Sequence, residues 1–135
     1  MQDSYMMIKP EAVAAGNVGK ILGMVETNGF TIVKVESFQM PRALAETFYD
    51  VHKERPFYGD LVEYITSGPV VGVHVRREDA VSRMRELVGA TNPVEASCGT
   101  IRFLYGTDLS ANAVHASDSP ENAERELGLV FDRVR

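Results

Sequence analysis

The 135-residue chain has a single cysteine, no long apolar run and fewer basic than acidic residues, 14 against 19 for a formal net charge of −5. Each shortage excludes something. Cys98 alone closes no internal disulfide, which fits a reducing compartment, and in its polar Ser-Cys-Gly setting with no base beside it the residue reads as a passive thiol. Without a stretch of about 18 apolar residues there is no expected membrane span. The opening Met1-Gln-Asp-Ser-Tyr5 has neither the basic region nor the apolar block of a signal peptide, so the expected location is the cytoplasm. The acidic surplus argues against general binding to nucleic acid or anionic membranes. A chain of this charge that binds phosphates must gather its few cations in one place.

Familiar catalytic patterns are also missing. His52, His74 and His115 are far apart, and neither H-E-x-x-H nor C-x-x-C occurs, so a metal held by protein ligands is not expected. His74, inside Val-Val-Gly-Val-His-Val, reads as a packed or edge residue. Ser117 and Ser119 lack the G-x-S-x-G setting of a hydrolase nucleophile, and Asp118 is too close in sequence to presume a triad. No glycine-rich phosphate loop follows the first strand, where Lys9-Pro10-Glu11 stands instead.

What remains is an ordinary globular composition, 44% hydrophobic and 24% charged, read as one domain over 1–135 that buries roughly two-thirds of its unfolded surface. Tyr5 to Lys9 reads as a buried strand stopped by Pro10. Val18, Ile21, Leu22 and Val25 form a helical stripe opened by Gly16-Asn17 and closed by Asn28-Gly29. Phe30 to Met40 reads as a strand. Arg42 to Lys53 reads as a helix through Leu44, Phe48 and Val51, and Phe57, Leu61 and Tyr64/Ile65 suggest another. Pro69 to Val75 is a buried strand, and Ala80/Val81, Met84 and Leu87/Val88 mark a helix. From Gly89 to Gly99 the periodicity lapses into a loop. Ala111 to His115 then reads as a short strand and Glu121 to Leu127 as a helix. Two βαβ halves, with an extra helical pair between the second and third strands, point to a ferredoxin-like α+β sandwich with a four-stranded antiparallel sheet covered by helices. A doubly wound parallel sheet is the alternative.

The chemistry converges on Asn112-Ala-Val-His-Ala-Ser-Asp-Ser119. Ser119 is a good helix N-cap, Pro120 suits the first helical position, and Glu121 and Glu124 favour the positive end of the dipole. Ala123 and Leu127 form the apolar stripe, and Glu126 lies beside them toward the core edge. A carboxylate held there can fix the tautomer of His115 and leave its other nitrogen free to act. Lys9 at a strand end, Arg85 at the border of an apolar stripe and Arg102 beyond the irregular loop offer cations, and Thr91 and Tyr49 offer hydroxyls.

The segment from Asn112 to Ser119 resembles the N-x-x-H-G-S-D-S active-site signature of the nucleoside diphosphate kinase family. Met6-Met-Ile-Lys-Pro-Glu-Ala-Val13 looks like that family's first strand, and His52-Lys-Glu-Arg-Pro-Phe57, Ser67-Gly-Pro-Val70, Gly89-Ala-Thr-Asn-Pro93 and Gly99-Thr-Ile-Arg102 match further blocks in the same order. The likeness runs from about Tyr5 to Phe131. It implies an enzyme that moves the γ-phosphate of a nucleoside triphosphate, mainly ATP, to a nucleoside diphosphate by a ping-pong route through a phosphohistidine, with Mg²⁺ arriving on the nucleotide. By that resemblance His115 is the nucleophile at Nδ1, and Glu126 with Ser117 orients the ring. Lys9, Arg85, Thr91 and Arg102, aided by Tyr49 and His52, hold phosphates. Lys9 and Asn112 reach the ribose, Phe57 stacks on the base with Leu109 on its other side, and Leu61 is a further nucleotide-binding residue. Stacking is tolerant because every base has a π-face, so broad base use follows. The resemblance also implies a homo-oligomer, a hexamer or tetramer.

Three departures stand out. Ala116 occupies the usual glycine position after the histidine, which costs about 1 kcal/mol if that residue needs positive φ and nothing if it is extended. Phe103-Leu104 follows Arg102 where the family often has a small residue and an acid, and the chain ends at Arg135 without the tail many members use in subunit contacts. Two other readings of the same residues are a nucleotide-binding module silenced at Ala116 and a histidine phosphorelay protein. The complete His115–Glu126 pair, the cationic set and an aromatic base platform favour the enzyme.

Overall fold

The computed structural model describes residues 1–132; the chain end at Arg135 lies outside them. Strand β1 (Gln2–Ile8) pairs antiparallel with β3 (Pro69–Arg77) along its length and with β4 (Val114–Ala116) on its other side, while β2 (Thr31–Gln39) pairs antiparallel with β3. The order among the described residues is β2-β3-β1-β4. The antiparallel expectation holds and the doubly wound alternative is excluded.

Helices cover both faces of this sheet, which is why β1 reads as a continuous apolar run and not as an alternation. Met6, Ile8, Val73 and Val75 pack on one side with Ile21 and Val25 of α2 (Val18–Thr27) and with Ala80, Met84 and Val88 of α5 (Ala80–Val88). Tyr5, Met7 and Val70 pack on the other side. Their partners are Ala45 and Phe48 of α3 (Arg42–Phe48), Val62 and Ile65 of α4 (Tyr58–Ile65), and Val130 of α7 (Pro120–Phe131). The edge strand β2 carries a register break between Ile32 and Lys34 and leaves Val33 and Val35 exposed.

Several boundaries differ from expectation. The first strand begins at Gln2 and ends at Ile8; Lys9 is the N-cap of a five-residue helix, α1 (Pro10–Ala14), that the sequence reading passed over. The helix expected to reach Lys53 stops at Phe48 and continues as a 3₁₀ turn, Asp50–His52. A 3₁₀ turn, Pro93–Glu95, punctuates the expected loop, and α6 (Ile101–Tyr105) follows it. Both short helices span about one turn, too little for a 3.6-residue period to register. The last strand is Val114–Ala116, shifted from Ala111–His115, because Asn112 and Ala113 form a turn. The last helix passes through Gly128 to Phe131, held by the burial of Val130 despite a glycine cost of about 1 kcal/mol. Gly89, with φ +90°, ends α5 where a Cβ would lie 2.6 Å from Thr100 Oγ1.

Candidate active site

Alternation along β4 sends Val114 and Ala116 into the α2/α5 core and His115 to the opposite face. There Phe48 meets the imidazole edge-on with centroids 5.1 Å apart, and Tyr5 and Tyr49 stand at 6.2 and 6.5 Å. Helix α7 brings up the fourth wall. Ser119 Oγ accepts from the Asn122 amide, Pro120 opens the helix, and the buried positions Ala123, Glu126 and Val130 recur at helical spacing. Glu126 is thus carried to 2.9 Å from His115 Nε2, with only 6% of the residue exposed. Ser117 Oγ donates to the same carboxylate oxygen at 2.6 Å. A hydroxyl has one proton, so this contact outranks its 3.3 Å approach to the Tyr5 carbonyl. An ionised carboxylate only accepts, so the imidazole proton sits on Nε2 and the lone pair on Nδ1. Among the described residues Nδ1 has no hydrogen-bond partner. Ala116 is extended and outside the positive-φ set, so its replacement of glycine costs no backbone strain.

The strained residue lies elsewhere. Ala113 has φ +75°, and the Val114 amide bonds the Asn112 carbonyl at 2.9 Å across it, a tight three-residue turn. This turn presents Asn112 on one side and His115 on the other. Asn112 accepts from Lys9 Nζ at 2.8 Å and donates to the Thr91 carbonyl at 3.0 Å, tying three segments of the site together.

Lys9, Arg85 and Arg102 form a chain of like charges, and among the described residues none of them makes an ion pair. Burial, and then Arg102, pushes the Lys9 ammonium down to about 8, with Glu11 pulling the other way. Burial, and then Arg85, lowers Arg102 to about 10. Two Arg102 nitrogens are tethered to the Gly89 and Val114 carbonyls, and among the described residues its buried Nε has no partner. Its guanidinium is therefore anchored as well as charged. Cations kept close with no ion-pair partner among the described residues suit an anion with several charges. Asp118 borders the same region, its carboxyl held low by the Asn122 amide and further by Arg85.

These groups line a cleft of about 820 Å³ that contains Lys9, Tyr49, His52, Phe57, Leu61, Arg85, Thr91, Arg102, Leu109, Asn112, His115 and Glu126. Ser117 stands behind Glu126, fully buried. Every site residue expected from the sequence is therefore gathered in or against one cleft. At its mouth Phe57 and Leu109 are 47% and 60% exposed, and neither is core. His52 bridges the two ends, 6.5 Å from the Tyr49 ring and 5.4 Å from Phe57. The Tyr49 hydroxyl is buried without a hydrogen-bond partner among the described residues, and burial followed by Glu126 raises its pKa.

Sequence reasoning missed the wall residues Tyr5 and Phe48, which read as strand and helix core, and gave Glu11 and Tyr64, the latter read as part of a helical stripe, no place in the site. Phe48 directly precedes Tyr49 on an apolar stripe, the one available sign that the stripe borders a site.

The fold and cleft define a helix-covered antiparallel α/β protein with a pocket suited to a phosphate-bearing ligand. The nucleoside diphosphate kinase family model matches residues 2–135, and the chain belongs to that family of nucleotide-binding phosphotransferases. It is 48% identical to the nucleoside diphosphate kinase of Archaeoglobus fulgidus over 131 residues, covering 97% of this chain and 87% of the relative. With that of Nitratiruptor sp. the identity is 50% over 131 residues, covering 97% and 96%. Among solved structures, the Aquifex aeolicus nucleoside diphosphate kinase superposes with a TM-score of 0.95 at 42% identity, over 96% of this chain and 94% of that one. The Halobacterium salinarum enzyme in complex with CDP gives 0.94 at 38% identity, over 98% and 88%.

Proposed function

We propose that this enzyme works in two half-reactions through a phosphohistidine at His115. Nδ1 attacks the γ-phosphorus of a nucleoside triphosphate, mainly ATP; the P–N bond forms as the bond to the β-phosphate oxygen breaks, and the diphosphate leaves. A second nucleoside diphosphate then attacks the same phosphorus with a β-phosphate oxygen, and the P–N bond breaks. The observation that carries this reading is the 2.9 Å contact between His115 Nε2 and buried Glu126, which leaves the nucleophilic lone pair on Nδ1. No separate base is needed, because a neutral imidazole is already a nucleophile. Glu126 also stabilises the charge that grows on the ring, and Ser117 holds Glu126 in place.

Phosphoryl transfer asks mainly for positioning and charge neutralisation. Lys9, Arg85 and Arg102 supply the charge, Thr91 and the buried Tyr49 hydroxyl with His52 supply donors, and Lys9 and Asn112 reach the ribose. Phe57 stacks on the base, with Leu61 and Leu109 alongside, which supports broad base use. The CDP bound by the Halobacterium relative supports a nucleoside diphosphate as ligand. Mg²⁺ bound to the triphosphate would neutralise part of its charge. The donor set fits an ion carried by the substrate: no cluster of three His, Cys, Asp or Glu is present among the described residues, and Asp118, which lines the cleft and feels Arg85, is a carboxylate that could face such an ion.

Residues 1–135 are taken to act as one domain in the cytoplasm. No described helix is long and apolar enough to cross a membrane. The exposed valines of edge strand β2 support a homo-oligomer, hexamer or tetramer, which light scattering resolves. No role in nucleic-acid binding is assigned.

The reaction test is incubation with γ-labelled ATP and Mg²⁺. Acid-labile, alkali-stable label should form on the wild-type chain, be absent from His115→Ala and pass to GDP or CDP on their addition. Nucleotide binding without label supports the silent module, and label that appears only with a partner kinase supports the relay.

A further inference from the structure

We infer that Glu11 is the positioning residue of the site: its carboxylate clamps the strained turn at Ala113 and so sets the separation of Asn112 from His115. The inference rests on the phosphotransfer reading and extends it to a residue outside the cleft's nucleotide contacts. Glu11 Oε1 accepts from the Ala113 amide at 2.9 Å and from the Tyr64 hydroxyl at 2.7 Å. The Ala113 carbonyl accepts from the Lys9 amide at 2.8 Å. The first turn of α1 therefore holds both polar groups of a residue whose φ of +75° an alanine does not choose.

Without that clamp the peptide is free to relax toward negative φ, and the relaxation moves Asn112 and His115 relative to each other. Asn112 carries Lys9 on its side-chain oxygen, so the displacement reaches the cations as well. The site tolerates little of this, since misplacement by about 1 Å costs up to roughly 100-fold in rate. Glu11 acts on Lys9 by charge too. The groups facing Lys9 are Arg102 from α6, which disfavours its proton, Glu11 from α1, which favours it, and Asn112, which hydrogen-bonds it. On the outer side Tyr64 of α4 donates to Glu11, and Asp108 acts on Tyr64 from beyond.

The test uses the full chain with Glu11→Ala and Glu11→Gln. It reads phosphoenzyme formation at saturating ATP, KM, the pH profile, melting temperature and hydrogen exchange at the Ala113 amide. Glu11→Ala should slow phosphorylation of the folded enzyme about 10-fold or more, with Ala113 exchange faster by about the same factor. Glu11→Gln keeps a carbonyl for the Ala113 amide. It should recover most of the rate at pH 7, while the alkaline limb moves about half a unit or more toward acid. Wild-type rate and wild-type Ala113 exchange in folded Glu11→Ala overturn the clamp, as does a loss that merely follows the folded fraction in both variants. If the wild-type chain forms no phosphoenzyme, the phosphotransfer reading falls. Exchange at Ala113 then still decides whether Glu11 holds the turn.

Discussion

The two ends of the cleft are built to opposite specifications. At the inner end Lys9, Arg102, Asn112, Ser117 and Glu126 are all buried, and hydrogen bonds tie them to one another or to backbone carbonyls. At the mouth Phe57, Leu109 and Val51 are exposed apolar side chains. If the proposed phosphotransfer runs here, the inner end tolerates little misplacement, because developing charge must meet fixed dipoles and cations. The mouth offers apolar surface with few directional demands, which on the proposed reading would grip any base and select none. On that reading, precision lies where all nucleotides are alike and slackens where they differ.

That contrast can be broken from either side. The largest effect is expected from Lys9→Met, which should lower kcat/KM about 10²- to 10³-fold by removing one fixed charge. Thermal melting of the same variant at pH 7 should not fall and should rise by a few degrees. The folded pKa of Lys9 is depressed from 10.5 to about 8, so the folded state resists a charge that the unfolded chain carries freely. Between those values the unfolded chain binds more protons, and this group's contribution to stability rises with pH; below about 8 the full penalty applies and the substitution lifts it. A variant that loses both activity and stability would mean that the Asn112 contact outweighs the burial of the charge.

Next in size is the pH profile. Once Lys9 loses its proton above about 8, kcat/KM should fall about tenfold per unit, with a weaker effect on kcat because bound phosphate holds the proton in place. A flat profile from pH 7 to 9.5 removes Lys9 from phosphate binding. At the mouth, Phe57→Ala should raise KM for ADP and for CDP alike, by about 5-fold, with kcat within about twofold. A loss confined to one base would mean that the mouth discriminates after all. Leu109→Ala, on a side chain more exposed still, should raise KM about twofold or less; a larger loss would make it more than a flank.

The same division explains what could be read in advance. His115 and Glu126 are eleven residues apart on a strand and the helix that follows, and local periodicity alone turns Glu126 inward. Lys9 stands out because a strand ends beside it, and Arg85 because a cation borders an apolar stripe. The supports were not legible. Glu11 and Ala113 are 102 residues apart, and nothing near Glu11 marks it as a clamp. Arg102 could be picked out as a cation, yet its ties to Gly89 and Val114 depend on where α5 and β4 come to lie. The rings around His115 carry the pattern of ordinary core. Ala116 posed a question of backbone angle that only the course of β4 answers, and the strain surfaced three residues earlier in the chain.

The sheet order has a consequence for biosynthesis. Strand β4 pairs with β1 from the opposite end of the chain, and the Ser117 amide donates to the Tyr5 carbonyl across 112 residues. A ribosome therefore releases nearly all of the polypeptide before His115 meets its pocket. Contacts so distant in sequence form late and slowly, so a nascent chain that has not yet released Val114–Ala116 lacks the strand that carries His115. Activity here reports that folding has finished.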